Sequence, residues 1–305
     1  MANPVMNRLE KEWQNSTPAG YPTMPGYEPG AAGSYAQQAG YAGATAAAQR
    51  TMQPTYEQGA FAEAEAAYRA PAADAVDRGR MTYDDVLVKS GIAFGVLFIG
   101  ATIGWFAAAV SPAAGALVMG AGFLVAFILA MVNIFGSTIR PALILAYAAF
   151  EGLALGAISA FMEFSQPGIV IQALLATAAV FGVTLLLFTS GKVRNSPKLA
   201  RFTLISLVGI LVYRLLNFVL VLTGVLSTPR GFDDVTIFGI PLGVAVGVLA
   251  VLVGAASLIQ DFDQIKRGVE MGAPAKFAWA CTFAVMVTVV WMYLEILRLL
   301  SRLRN

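Results

Sequence analysis

The sequence predicts an all-α membrane protein, a bundle of seven transmembrane helices preceded by a disordered N-terminal tail. Three observations carry this. Of 305 residues, 58% are hydrophobic and 12% charged, against about 25% charged in an ordinary soluble domain. Seven stretches reach the roughly twenty apolar residues that a bilayer crossing needs. Lysines and arginines gather in alternate loops between those stretches, as they do when one face of a bundle is cytoplasmic. The partner this implies is the lipid bilayer. A net charge of +2 gives no reason to expect nucleic acid. The chain has no histidine, which removes the commonest transition-metal ligand and the usual general base. Its one cysteine, Cys281, has no partner for an intramolecular disulfide and leaves the redox compartment unread.

Residues 1–85 read as the tail. Ala, Gly, Tyr, Gln and Pro dominate, as in Tyr35-Ala36-Gln37-Gln38-Ala39-Gly40-Tyr41. Large aliphatics are too few to offset the entropy of ordering. The piece from Ala60 to Ala70 is a candidate short helix, and the spaced tyrosines are candidate stickers for a membrane partner. No basic segment followed by an apolar h-region opens the chain, so no cleaved signal peptide is expected.

Residues 86–305 carry the membrane domain. The seven spans are expected near Val86–Val110, Ala113–Phe135, Pro141–Phe161, Gly168–Phe188, Phe202–Leu226, Val235–Gln260 and Phe277–Leu300. Pro112, Pro141 and Pro197 fall at the junctions, where a missing N–H costs least. Gly152 and Gly156 form a GxxxG pair that lets helices approach closely. Lys192, Arg194, Lys198 and Arg201, then Lys266, Arg267 and Lys276, and also Arg140, lie in loops that fall on one face. That face and the N-terminus are expected to be cytoplasmic, in a multi-pass protein of the cell membrane. Seven spans then place the C-terminus outside, against Arg298, Arg302 and Arg304. A last segment that inserts only in part would reconcile them.

Four ionisable residues fall within or at the edge of spans: Glu151, Arg214, Asp261 and Glu295. Each costs about 2.5 to 3.5 kcal/mol at a helix centre, so each needs a partner in the interior. Arg214 reads either as a fixed counter-ion or as the partner of a gating acid. Glu151 reads either as a neutral acid or as a pore-lining carboxylate. Asp261 and Asp263 point about 200° apart on a helix. One of them faces the bundle while the other faces water, and Gln260 and Gln264 mark an exit from hydrocarbon.

Two motifs resemble the transmembrane Bax inhibitor motif family, including its bacterial members. One is Asp261-Phe262-Asp263-Gln264-Ile265-Lys266, closing an apolar helix. The other is Met292-Tyr293-Leu294-Glu295-Ile296 in the last span. The likeness runs from about Val86 to the C-terminus and leaves the tail out. It implies a seven-helix bundle with the last helix at the centre, and a pH-sensitive calcium leak. It also implies a proton-sharing acid pair, carried over to Asp261 and Glu295. At the second position Glu stands where the family usually has Asp, which adds a methylene. Arg214, Arg140 and Glu151 are candidate supporting charges.

Two close carboxylates in a low dielectric share one proton, and its loss drives them apart. Their oxygens then suit a hard cation such as Ca²⁺. With the sixth helix ending at Gln260, Glu295 lies about 27 Å along the seventh. The pair meets only if the sixth helix runs deeper or the start of the seventh lies along the interface. Calcium is expected as the conducted ion, with no cofactor, no bound metal and no enzymatic activity. The alternative is a non-transporting regulator that docks a membrane protease or other membrane partner through the tail.

Overall fold

A computed structural model of the protein describes residues 79–136, 138–225, 230–237 and 239–304. The expected Ala60–Ala70 helix and the tail tyrosines lie outside the described residues. Among those described, seven helices are long and apolar enough to cross a membrane. They are α1 (Tyr83–Val110), α2 (Pro112–Phe135), α3 (Pro141–Ser165), α4 (Ile169–Thr189), α5 (Pro197–Leu222), α6 (Leu242–Glu270) and α7 (Phe277–Leu303). The three junction prolines each sit in the first turn of a helix, at the starts of α2, α3 and α5, where no intrahelical N–H is lost.

Each boundary has a local cause. Thr82 caps α1 through Asp85, whose carboxylate in turn accepts from the Thr82 N–H. This reciprocal box starts α1 three residues before the expected Val86. Met81, just ahead of it, is 1% exposed, and Arg80 bridges Pro274. The folded unit therefore reaches back past residue 86.

The sixth helix departs most from expectation. The apolar run predicts Val235–Gln260, and the helix lies at Leu242–Glu270. Upstream, Gly231–Asp234 form a 3-10 turn, and β1 (Thr236–Ile237) pairs antiparallel with β2 (Ile240–Pro241). Gly239, at φ +80°, makes the left-handed turn between the strands, and Pro241 cannot sit inside a helix. The apolar residues before Leu242 thus belong to a hairpin. At the other end the charged run does not stop the helix. It continues three turns past Gln260, carrying Asp261 well inside.

α7 is the most buried helix, with 72% of its most apolar window inside the protein. Phe283, Met286, Val290, Ile296 and Leu297 supply the main core, against Leu97, Tyr147, Leu155, Leu258 and Phe262. The last segment is therefore a continuous central helix, long and apolar enough to cross a membrane. α1, α3, α4 and α6 pack around it, while α2 rests on α1 and α3, and α5 on α6.

The α1–α3 seam explains the glycine pair. A Cβ on Gly152 or Gly156 would strike the carbonyls of Leu97 or Ala101, and one on Gly100 or Gly104 would strike the α3 backbone in return. Two glycine pairs thus interlock at backbone contact.

Candidate functional site: two buried acids beside the central helix

The interface between α6 and α7 carries two acids at different heights. Asp261 is 8% exposed. Its Oδ2 accepts from the Thr288 hydroxyl at 2.7 Å, and Thr288 also donates to the Ala284 carbonyl at 3.1 Å. Among the described residues no lysine or arginine pairs with Asp261. Gln260 and Gln264 lie on the same side of α6, within a sector of about 100°. They are 1% and 7% exposed. Gln260 donates to the Thr203 hydroxyl at 2.8 Å and to the Ala256 carbonyl at 3.2 Å. The side-chain oxygens of both glutamines are buried without a hydrogen bond. The two residues read from sequence as an exit from hydrocarbon are thus interior groups. Their helix keeps its polar face turned to α5 and α7.

Glu295, 3% exposed, sits in a different setting. Its Oε2 takes the Arg214 Nη2 at 2.7 Å and its Oε1 the Arg298 Nη1 at 2.6 Å. Arg214 reaches on to Asp233 at 3.4 Å. Asp233 also accepts from the Tyr213 hydroxyl at 2.6 Å and pairs with Arg302, which holds the Gly243 carbonyl as well. Two acids and three guanidiniums from α5, α7 and the 3-10 turn thus form one chain of ion pairs. Arg304 donates to the Pro167 carbonyl at 3.0 Å and to Gln172 at 2.8 Å. The C-terminal arginines, read from sequence as a topology signal, are spent on these contacts.

The expected pair does not form in this structure. No hydrogen bond joins Asp261 to Glu295. The residue of α7 that meets Asp261 is Thr288, seven residues before Glu295, or about 10.5 Å along the helix. The sixth helix does run deeper than drawn, but the depth gained brings Asp261 level with Thr288 and no further. Arg214 and Glu295 are brought together. Arg140 is exposed at the start of α3 and forms no ion pair with a described residue. Glu151 is 8% exposed, one turn from Tyr147 and Leu155, and its carboxylate takes no hydrogen bond from a described residue. Asp263 accepts from Asn195 at 3.0 Å and pairs with Arg267, tying the α4–α5 loop to α6.

Sequence reasoning missed Asp233, Arg298, Arg302 and Thr288. The i,i+3 spacing of Glu295 and Arg298 was a visible signal. Asp233 read as a loop charge and Thr288 as one apolar-run residue among many, and neither has a local signature.

A family model described as Bax inhibitor 1 like matches residues 3–305. The match takes in the tail, which the two motifs left out. No curated protein matches the chain.

Proposed function

The chain belongs to the Bax inhibitor 1 like family and is a multi-pass membrane protein, and from this premise we propose that it is a proton-controlled cation leak with calcium as the conducted ion. One observation carries the reading. Asp261, Gln260 and Gln264 place a carboxylate and two hydrogen-bond-free amide oxygens on one buried face of α6, with no cationic side chain among them. Oxygen donors of this kind suit a hard cation. Intramembrane acids are costly and mark ion or proton pathways.

The mechanism rests on a single acid. When Asp261 is protonated, one hydroxyl contact to Thr288 is enough for a neutral group. When it is ionised, a buried carboxylate with one hydroxyl donor is poorly compensated. It then draws in water and a cation, and α6 loosens from α7. Flux therefore rises with pH. Glu295 stands apart from this contact, seven residues farther along α7 and paired with Arg214 and Arg298. Arg214 acts as its fixed counter-ion and holds α5 to α7. The α4–α5 loop bearing Lys192 and Arg194 and the end of α6 bearing Lys266 face the cytoplasm together with the N-terminus.

Calcium flux into proteoliposomes tests this. Asp261→Asn keeps the Thr288 contact and removes the charge, so its flux stays low and independent of pH. Gln264→Leu lowers flux at alkaline pH and leaves the shape of the pH curve. Wild-type flux in both variants contradicts the reading.

A further inference from the structure

A groove with a volume of about 1140 Å³ runs between α1 and α4. Phe94, Phe98 and Trp105 of α1 face Leu174, Ala178 and Phe181 of α4 across it, over a floor made by α7. Its α4 wall extends from Val170 to Thr189, about 28 Å of helix, close to the ~30 Å thickness of the hydrocarbon core. Phe98, Phe106 and Leu175 in its lining are exposed, so the groove opens onto the apolar outer surface.

Its serine and threonine hydroxyls are already satisfied. Ser90 bonds Thr282 at 3.1 Å and Ser159 bonds Tyr293 at 2.7 Å. The hydroxyls of Thr102, Thr177 and Thr189 each donate to a carbonyl of their own helix. Only the Tyr83 hydroxyl, half-exposed at one mouth, and the Trp105 indole N–H lack a hydrogen bond to a described residue. A channel for ions or water needs a run of groups that replace hydration, and two isolated donors do not supply it. It matches a hydrocarbon chain.

The mouth beside Tyr83 and Thr189 carries charge. Lys192, Arg194, Lys198 and Arg201 follow Thr189 within twelve residues, all are exposed, and none forms an ion pair with a described residue. On the opposite lip Asp85 is bound to Lys89, and Glu270 to Lys266, which leaves Asp84 as the acid there with no partner among the described residues. Clustered bases at a helix end draw anionic headgroups.

We propose that this groove is a binding site for an anionic phospholipid of the leaflet on the basic-loop side. An acyl chain lies between α1 and α4, and the headgroup sits against Lys192 and Arg194. The site is separate from the Asp261 face and does not depend on the leak.

Native mass spectrometry of the full chain in mild detergent, incubated with phosphatidylglycerol or phosphatidylcholine, tests it. Wild type retains phosphatidylglycerol in preference to phosphatidylcholine. Ala178→Phe fills the groove from an exposed position that supports no core contact, and it lowers retention of both lipids. Lys192→Gln with Arg194→Gln leaves the groove open and reduces the preference by about fivefold per base removed. Equal retention by wild type and Ala178→Phe overturns the site. Retention without headgroup preference overturns the anionic assignment. A dimer that Ala178→Phe dissolves, with no lipid lost, assigns the groove to a second copy of the chain and overturns the proposal.

Discussion

Asp261 and Glu295 are both buried, at 8% and 3% exposure, Asp261 against α7 and Glu295 against α5, yet the bundle treats them in opposite ways. Around Asp261 the neighbours are oxygens: Thr288, Gln260 and Gln264. Around Glu295 they are guanidiniums: Arg214 and Arg298, with Arg302 behind Asp233. One level is deficient in positive charge, and the other supplies its own. A buried acid with fixed cations is part of the scaffold. A buried acid with none is the place where a proton or an added cation changes the energy of the fold. The two levels also lie toward opposite ends of the bundle, Asp261 toward the basic loops and Glu295 toward the α5–α6 hairpin.

The largest effect is expected at the scaffold level. Glu295→Gln leaves Arg214, 21% exposed, with only its longer 3.4 Å contact to Asp233, and loses about 3 to 5 kcal/mol of stability; Arg298 is more exposed and adds little. A denaturant titration in detergent reads this as a large drop in midpoint. Asp261→Asn in the same assay loses under about 1 kcal/mol, since one hydrogen bond survives the change. If the two losses are equal or reversed, the contrast between the levels fails.

Asp233 sharpens the same contrast. It touches Tyr213, Arg214 and Arg302, so Asp233→Asn destabilises by a few kcal/mol, about 3. Combined with Glu295→Gln, it departs from additivity by about 0.5 to 3 kcal/mol, because Arg214 serves both acids. Combined with Asp261→Asn, which shares no partner with it, the effects add. A double-mutant cycle with no coupling between Asp233 and Glu295 would dissolve the network into separate pairs.

How far the sequence carries this is seen residue by residue. The seven helices were legible because apolar length is a local property, and the prolines and caps fixed several boundaries. Glu151, Arg214, Asp261 and Glu295 were legible as exceptions, being ionisable groups in apolar runs. Their pairing was not. Whether Asp261 meets Thr288 or Glu295 depends on where α6 begins, and the Gly239–Pro241 hairpin sets that by shifting the helix start to Leu242. The partner of Arg214 likewise depends on packing between helices 81 positions apart. Arg302 and Asp233 are separated by 69 positions, and nothing in either local stretch announces the other.

A smaller effect separates geometry from charge at the Asp261 level. Thr288→Val keeps the shape and removes the one hydroxyl, costing about 1 kcal/mol. It moves the pH response of flux without moving that of stability at the Glu295 level. Smallest of all is Arg140→Gln. This side chain is exposed and forms no ion pair with a described residue, so both stability and flux stay within about 0.5 kcal/mol of wild type. A clear change in pH response there would return Arg140 to the gating site.

The most direct measurement is calcium flux into proteoliposomes as pH is raised, for wild type and Asp261→Asn side by side, with each shown to be folded. The account predicts a flux that climbs with pH in wild type and a low, flat response in Asp261→Asn. A wild-type climb in Asp261→Asn would contradict it.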